Sequence, residues 1–478
     1  MPCPRREPPS ASCDSSPGQA LLPLPQRGLA ELATEDWQQA VPQHHYSLGE
    51  IAAALALLLD CRGSLRGSAL ALGLLSRLLG FGPSIPSPTT LRTWLLRIGL
   101  FQLQRPLEQA EDWVWIVDHT VQIGELKCML VVGLRLSVWQ EQADRRLSYE
   151  DVDLIGLWPV RTSTGEIVDG QLESAIARTG LPRLIVSDDG RDLHRGLALF
   201  QARHADSPQQ VDWIYDIKHK TASLLKRELE QDPVWTAFAQ QANQMKRQVQ
   251  QTELAFLNPP QQRGKARYMS VDSLVAWGGK VLNWLDNPRP TGRDLDEERI
   301  EAKLAWLRDY REPLQNWQQA MSVIGTVESL VRQEGYHAAS VAELAERLPT
   351  VEPDSLAERL SQQLTTFVGE QAALAHAGER LPGSSEVLES IIGKYKRLQG
   401  EGGQFGVTGM VLSVGAFVGR LTLAGIQTAL TSISGLALRT WEETHLEATI
   451  QSQRKQAFPS LPRGTKTGTN LLALTATN

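Results

Sequence analysis

Cysteine is scarce in this chain of 478 residues, which has only four. They include no C-x-x-C pair and no partner histidines at zinc-site intervals, which argues against a structural zinc site. The sequence therefore predicts a reduced, cytoplasmic protein without structural zinc. The four residues are Cys3, Cys13, Cys61 and Cys128.

Long unbroken apolar runs are also lacking. The most apolar stretch, residues 405–438, is interrupted by Arg420 and by several Gly, Ser and Thr residues. Such a stretch falls short of the roughly 20 consecutive apolar residues that a membrane helix needs. No membrane role is predicted, and we expect this region to pack as helices.

The chain has no excess of positive charge, because its formal net charge is -6. Basic residues are nevertheless clustered locally, at 218–220, 246–247, 263–267 and 394–397. Cations release counterions only where they stand next to phosphates, so their position matters more than the total. The net charge therefore does not exclude a nucleic-acid partner.

Composition divides the chain into segments. Residues 1–46 are rich in Pro, Ser and Gln and are predicted to be a disordered tail. Residues 47–108 read as a helical domain, and residues 452–478 as a disordered basic tail.

The last helix of the 47–108 domain has one apolar and one polar face. Ser87 is a suitable N-cap for it. Arg92, Thr93 and Arg97 lie on its polar face, which predicts a helix-turn-helix that contacts DNA. A small helical packing domain accounts for the same residues equally well, and the acidic motifs further along favour the DNA-binding interpretation.

The pattern changes to strands after residue 108. Short apolar or alternating runs predict strands at 113–122, 128–136, 152–160, 183–187 and 211–215. Helices are predicted at 165–179 and 192–204. Residues 109–220 therefore form the first part of an α+β fold with an α/β core. An all-α insertion follows at 221–383, and the final acidic helix with C-terminal helices at 384–451.

Three carboxylates stand out along this pattern. Asp118 and Asp188 each end an apolar strand, and Glu389 lies on a helix that starts near Ser384. Asp189 and Glu386 are alternatives to Asp188 and Glu389. Oxygen ligands on separate rigid elements can converge on Mg²⁺, and a pair of such ions is suited to displacement at a phosphodiester.

The trio resembles the acidic triad of DDE transposases, whose ribonuclease H-like fold has this order of elements. Asp216 and His219 resemble the Cys-or-Asp, two residues, His signature of hAT and Mutator types with a helical insertion. Lys396, seven residues after Glu389, is similar to an element of bacterial insertion-sequence enzymes. The Tyr and Arg that precede Glu there are absent, since Ser385 stands where Arg is expected.

The resemblance implies a DNA transposase with a ribonuclease H-like mixed sheet. Asp118, Asp188 and Glu389 would bind two Mg²⁺ ions, with Mn²⁺ as an alternative. The partners would be double-stranded DNA, as element ends and target, and further copies of the chain, in a nucleoid-associated protein.

The resemblance also implies auxiliary residues around this site. Asp216, His219 and Lys396 would be auxiliary to the active site, and Lys394 and Arg397 would hold phosphates. The alternatives are an inactive descendant that binds DNA, a metal-dependent nuclease that does not join strands, and a helix-turn-helix regulator.

Overall fold

The computed structural model describes most of the chain. The described residues are 39–79, 85–121, 126–261, 267–287, 296–400, 407–448 and 450–458. The strands are β1 Trp113–Val121, β2 Lys127–Arg135, β3 Asp153–Val160, β4 Leu184–Ser187 and β5 Asp212–Tyr215. The helices of the first half are α1 Leu48–Leu59, α2 Leu65–Leu79, α3 Pro88–Gln104, α4 Leu136–Gln140, α5 Gly165–Thr179, α6 Arg191–Arg203, α7 Ile217–Leu229 and α8 Pro233–Val249.

The second half is helical. Its helices are α9 Val271–Asp286, α10 Glu297–Leu304, α11 Arg311–Glu334, α12 Ser340–Arg347, α13 Leu356–Ala372, α14 Glu386–Gln399, α15 Leu423–Ser432, α16 Gly435–His445 and α17 Ile450–Ala457. Short 3-10 helices lie at Ala255–Leu257, Arg267–Ser270, Ala305–Tyr310 and Gly409–Phe417. None of the helices in the described ranges is both long and apolar enough to cross a membrane.

The five strands form one mixed sheet in the order β3-β2-β1-β4-β5. Strands β1, β2 and β3 form an antiparallel meander, whereas β4 and β5 run parallel to β1. The five strands predicted from the sequence are present, with bounds shifted by one or two residues. This topology is compatible with the ribonuclease H-like arrangement that the resemblance implies.

The two faces of the sheet belong to different cores because successive side chains of a strand point to opposite faces. Trp113, Trp115 and Val117 of β1 pack in one cluster with residues of α5 and α6. Val114 and Ile116 pack in the other cluster, together with residues of α3 and α14. Asp118 is the next alternate residue after Val114 and Ile116, so its side chain points toward α14.

The insertion between β5 and α14 consists of helices, as predicted. Helices α7 and α8 are separate because Asp232 caps the second through Val234 N and Pro233 stands at its first position. Phe238 of α8 contacts Trp277 and Trp317, which helps to form an aromatic cluster in the insertion.

Helix α3 packs against several other elements of the fold. It packs against the 3-10 helix at Gly409–Phe417, against α15 and α16, and against β3. A Cβ on Gly99 would lie 1.8 Å from the carbonyl oxygen of Leu412, so only glycine allows this contact. The predicted helix-turn-helix stays a prediction, and the structure shows that α3 also has a packing role, with part of the apolar 405–438 region, Gly409–Phe417, as one of its partners.

The structure describes ordered residues within both segments that were predicted to be disordered tails. Val41 is buried and Ala40 pairs with Ser47 in a short bridge, so order begins before residue 47. Residues 452–457 belong to helix α17 instead of a disordered tail. The remaining parts, 1–38 and 459–478, lie outside the described residues.

Candidate functional site

Asp118 and Asp188 lie side by side on adjacent parallel strands, Asp118 within β1 and Asp188 directly after β4. Val117 of β1 is in register with Ser187, the last residue of β4, so the aspartates are the next residue of each chain. In-register residues of parallel strands are about 4.8 Å apart and point to the same face. The two carboxylates therefore share the α14 face of the sheet, although 70 positions separate them.

The structure distinguishes Asp188 from its neighbour. Asp189 is exposed, and its Oδ1 lies 2.7 Å from Nδ1 of His194. Asp188 accepts a hydrogen bond from Gly190 N at 3.1 Å and interacts electrostatically with Asp118. Asp188 is thus the member of the pair that faces Asp118.

The structure also distinguishes the two glutamates of α14, a helix that packs against β1. Glu386 forms an ion pair with Arg332. Glu389 Oε1 lies 3.7 Å from Nε2 of His219, and its charge acts on Asp118. Glu389 therefore joins the two aspartates, and Glu386 is directed toward the insertion.

The charges in this cluster strongly perturb one another. Burial, reinforced by the charge of Asp188, raises the pKa of Asp118 to about 7. Burial opposes the charged form of His219, but the hydrogen bond to Glu389 and the charges of Asp216, Asp188 and Asp118 outweigh it and raise its pKa to about 9. The hydrogen bond from His219 lowers the pKa of Glu389. At neutral pH the histidine is thus a cation held among carboxylates.

Asp216 joins the helix of His219 to the helix of Glu389. It is fully buried and caps α7 by accepting a hydrogen bond from His219 N at 2.8 Å. Its other oxygen accepts from Ser385 N at 2.5 Å and from Ser385 Oγ at 3.0 Å. Because Ser385 is the residue before α14, one carboxylate fixes the starts of both helices.

A buried carboxylate of the insertion supports the same region. Glu328 of α11 accepts hydrogen bonds from Thr221 Oγ1 at 2.6 Å, from Lys218 Nζ at 3.1 Å and from Arg332 Nη2 at 3.1 Å. Arg332 in turn pairs with Glu386. Sequence reasoning missed Glu328 because an acid in a long amphipathic helix carries no signal of its burial.

A second polar group lies behind Asp118 on the opposite face of β1. The Nε2 atom of His119 is 3.2 Å from Ser163 Oγ, and its Nδ1 atom is 4.0 Å from Asp192 Oδ2. Lys127 Nζ is 3.7 Å from the same carboxylate oxygen. Sequence reasoning did not single out Ser163 or Asp192, since neither lies in a motif.

The polar residues predicted for DNA contact on α3 are engaged elsewhere. Arg92 pairs with Glu442 at 3.7 Å. Thr93 Oγ1 donates to Thr89 O, within its own helix. Arg97 is half-buried and contacts His44 and the carbonyl oxygen of Leu430.

The basic residues of α14 differ in their surroundings. Lys394 lies over the ring of Tyr149. Lys396 and Arg397 are exposed, and neither forms an ion pair with any residue in the part of the chain that the structure describes. Lys396 is two turns beyond Glu389 and has no described contact with the carboxylate cluster.

The cluster suits a hard cation by its chemistry. Within the described ranges, no group of three or more His, Cys, Asp or Glu side chains is already arranged around a metal position. The donors are oxygen atoms, as Mg²⁺ prefers. The raised pKa of Asp118 reflects burial and unrelieved repulsion from Asp188, which a bound cation would offset.

No protein-family model and no curated protein matches the sequence. The structure is similar to a chain of the Drosophila P element transposase strand transfer complex, with a TM-score of 0.39 and 12% identity over 87% of this chain and 97% of that chain. A likeness of this size does not by itself assign a function.

Proposed function

We propose that this chain is a DDE-type DNA transposase with a ribonuclease H-like catalytic core of the kind that carries a helical insertion. It would cut and join DNA at the ends of an insertion sequence. The supporting observation is the approach of Asp118, Asp188 and Glu389 to one another from β1, from the end of β4 and from α14. Carboxylates that converge from three separate elements, one of them with a strongly raised pKa, are typical of functional sites.

In this proposal Asp118, Asp188 and Glu389 hold two Mg²⁺ ions, which Mn²⁺ can replace. The bound ions would activate water or a 3′-hydroxyl and stabilise the leaving oxygen. Asp118 must lose its proton to act as a ligand, and a nearby cation favours that loss. Cation binding and deprotonation of Asp118 are therefore coupled.

His219 has a positioning role in the same proposal. As an imidazolium it pairs with Glu389 and balances part of the charge of the aspartates. Glu389 would hold the cation together with the two aspartates, and His219 would orient its carboxylate. His219 then stands beside the position of the scissile strand.

A strand-transfer assay tests this function. The DNA substrates carry the sequences that flank the coding region, and the reaction contains Mg²⁺. We expect the wild-type protein to cut and join, and Asp118→Asn to lose at least about a hundred-fold in both activities because a cation ligand is removed. Asp189→Asn is the matched control and should remain active, since Asp189 pairs with His194 at the surface.

Each other outcome points to a different function. Cutting without joining by the wild-type protein would indicate a metal-dependent nuclease. DNA binding without either activity would indicate an inactive descendant of a transposase. Equal activity in Asp118→Asn and the wild type would contradict the proposed site.

A further inference from the structure

A small cavity lies between the loop after α1 and the second half of α14. Its volume is about 110 Å³. Arg62, Gly63 and Ser64 of the loop line one side, and Arg397 of α14 lines another. Leu58 and Phe417 close it with apolar surface. The cavity is separate from the carboxylate cluster, although α14 contributes to both.

The charged groups around this cavity are all cationic. Among the described residues that line it, none is an aspartate or a glutamate. Neither Arg62 nor Arg397 forms an ion pair with any described residue, and both are exposed. Ser64 Oγ accepts from Gly67 N, which leaves its hydroxyl proton free to be donated. The cavity therefore offers hydrogen-bond donors and positive charge without a counterion.

Arg62 occupies a backbone conformation that disfavours a side chain. Its φ is 57°, in the left-handed region, where a residue with a Cβ costs about 1 kcal/mol relative to glycine. The conformation belongs to the turn that ends α1, because Gly63 N donates to Leu57 O at 3.0 Å across Arg62. This turn places Arg62 at the cavity.

The cavity also stands at a definite distance from the carboxylate cluster. Arg397 follows Glu389 by eight residues on α14, which corresponds to about 12 Å along the helix. Successive phosphates of one DNA strand advance by about 3.4 Å along the duplex axis. For a duplex whose axis runs along α14, a strand with its scissile phosphate at Glu389 would place a phosphate about three to four nucleotides away near Arg397.

We infer that Arg62 and Arg397 together bind one backbone phosphate of duplex DNA in this cavity. The inference rests on the proposed function and adds a contact that neither the acidic motifs nor α3 provide. Two guanidiniums form several charge-assisted hydrogen bonds with one phosphate. The N-terminal helical unit thus contributes to DNA binding through the loop after α1.

The salt dependence of DNA binding tests this inference. The probe is a short fluorescein-labelled duplex of mixed sequence, and anisotropy is measured over about 50 to 200 mM salt. We expect Arg62→Gly and Arg397→Gln each to lower the slope of log K against log salt by about 0.9, as for one lost phosphate contact. The double variant should lower the slope no further than either single variant does, because both arginines bind the same phosphate.

Two controls accompany the measurement. Arg77→Gln removes another exposed arginine without a described ion pair, on α2 outside the cavity, and its slope should equal that of the wild type. Arg62→Gly also relieves the left-handed strain, so it should keep or raise the thermal stability while DNA binding weakens. That combination separates lost DNA contact from misfolding.

Three results would overturn the inference. If Arg62→Gly and Arg397→Gln had the same slope as Arg77→Gln, the two arginines would make no phosphate contact in this cavity. Additive losses in the double variant would mean two separate phosphates. Stabilisation by inorganic phosphate that depends on Arg62, with DNA slopes unchanged, would mean that the ligand is a free anion. A wild-type protein that binds no DNA would instead refute the proposed function.

Discussion

At the scale of single residues, the protonation of Asp118 is the most informative property of the site. Its pKa of about 7 in the folded chain exceeds the usual 3.8, so its ionised form is unfavourable in the cation-free protein. The folded state binds the proton more tightly than the unfolded state does. The resulting stabilisation is complete below pH 3.8 and is lost as the pH rises to about 7.

Replacing Asp118 by Asn should therefore stabilise the protein in EDTA at alkaline pH. We expect Asp118→Asn to raise the free energy of unfolding by on the order of 2 kcal/mol near pH 8, and by much less near pH 4.5. This figure is smaller than the full pKa shift would give, because the buried amide of Asn also has a desolvation cost. Urea unfolding at both pH values measures this free energy. An Asn variant less stable than the wild type at pH 8 would show that the ionised form of Asp118 does not destabilise the fold.

At the scale of elements, the contact between α7 and α14 determines the site. Asp216 caps α7 and accepts two hydrogen bonds from Ser385 at the start of α14. The side chains of His219 and Glu389 are thereby held next to each other, with Nε2 of His219 3.7 Å from Oε1 of Glu389. Asp216 acts through these helices and contacts no reacting group, so it is a positioning residue.

Asp216→Asn should keep the cap of α7, since Asn and Asp cap equally well, but break the link to Ser385. We expect kcat for strand transfer to fall about ten-fold or more, with unchanged DNA affinity, because a displaced ligand weakens the site. The pKa of His219, followed by NMR, should fall with the loss of the nearby charge.

The matched control for this prediction is Asp232→Asn. Asp232 caps α8 alone, through Val234 N at 2.8 Å, and makes no described contact with a second helix. It should leave both kcat and the pKa of His219 unchanged. Equal effects of the two substitutions would mean that Asp216 is only a helix cap.

At the scale of the whole molecule, local patterns predicted the sheet but not what covers it. The apolar run before Asp188 sufficed to place it at the end of β4, whereas β1 continues beyond Asp118 to Val121. The choice between Glu386 and Glu389 needed the position of Arg332, which lies 54 residues away in the insertion. Sequence spacing contains no information about such a contact.

The contacts of α3 could not be predicted for the same physical reason. Its polar residues looked free for DNA, but the partner of Arg92 is Glu442, far along the chain. Gly99 looked like an ordinary helix residue, although the backbone at Leu412 packs directly against it. A helical pattern shows that a face is polar, and only the folded chain shows what that face contacts.

The central claim is that Asp118, Asp188 and Glu389 form one divalent-cation site. Titration with Mn²⁺, followed by electron paramagnetic resonance, tests this claim most directly. The titration compares variants of two pairs of nearby carboxylates. We predict that Asp188→Asn and Glu389→Gln weaken Mn²⁺ binding by about ten-fold or more, whereas Asp189→Asn and Glu386→Gln bind as the wild type does. Equal binding by both members of each pair would contradict the claim.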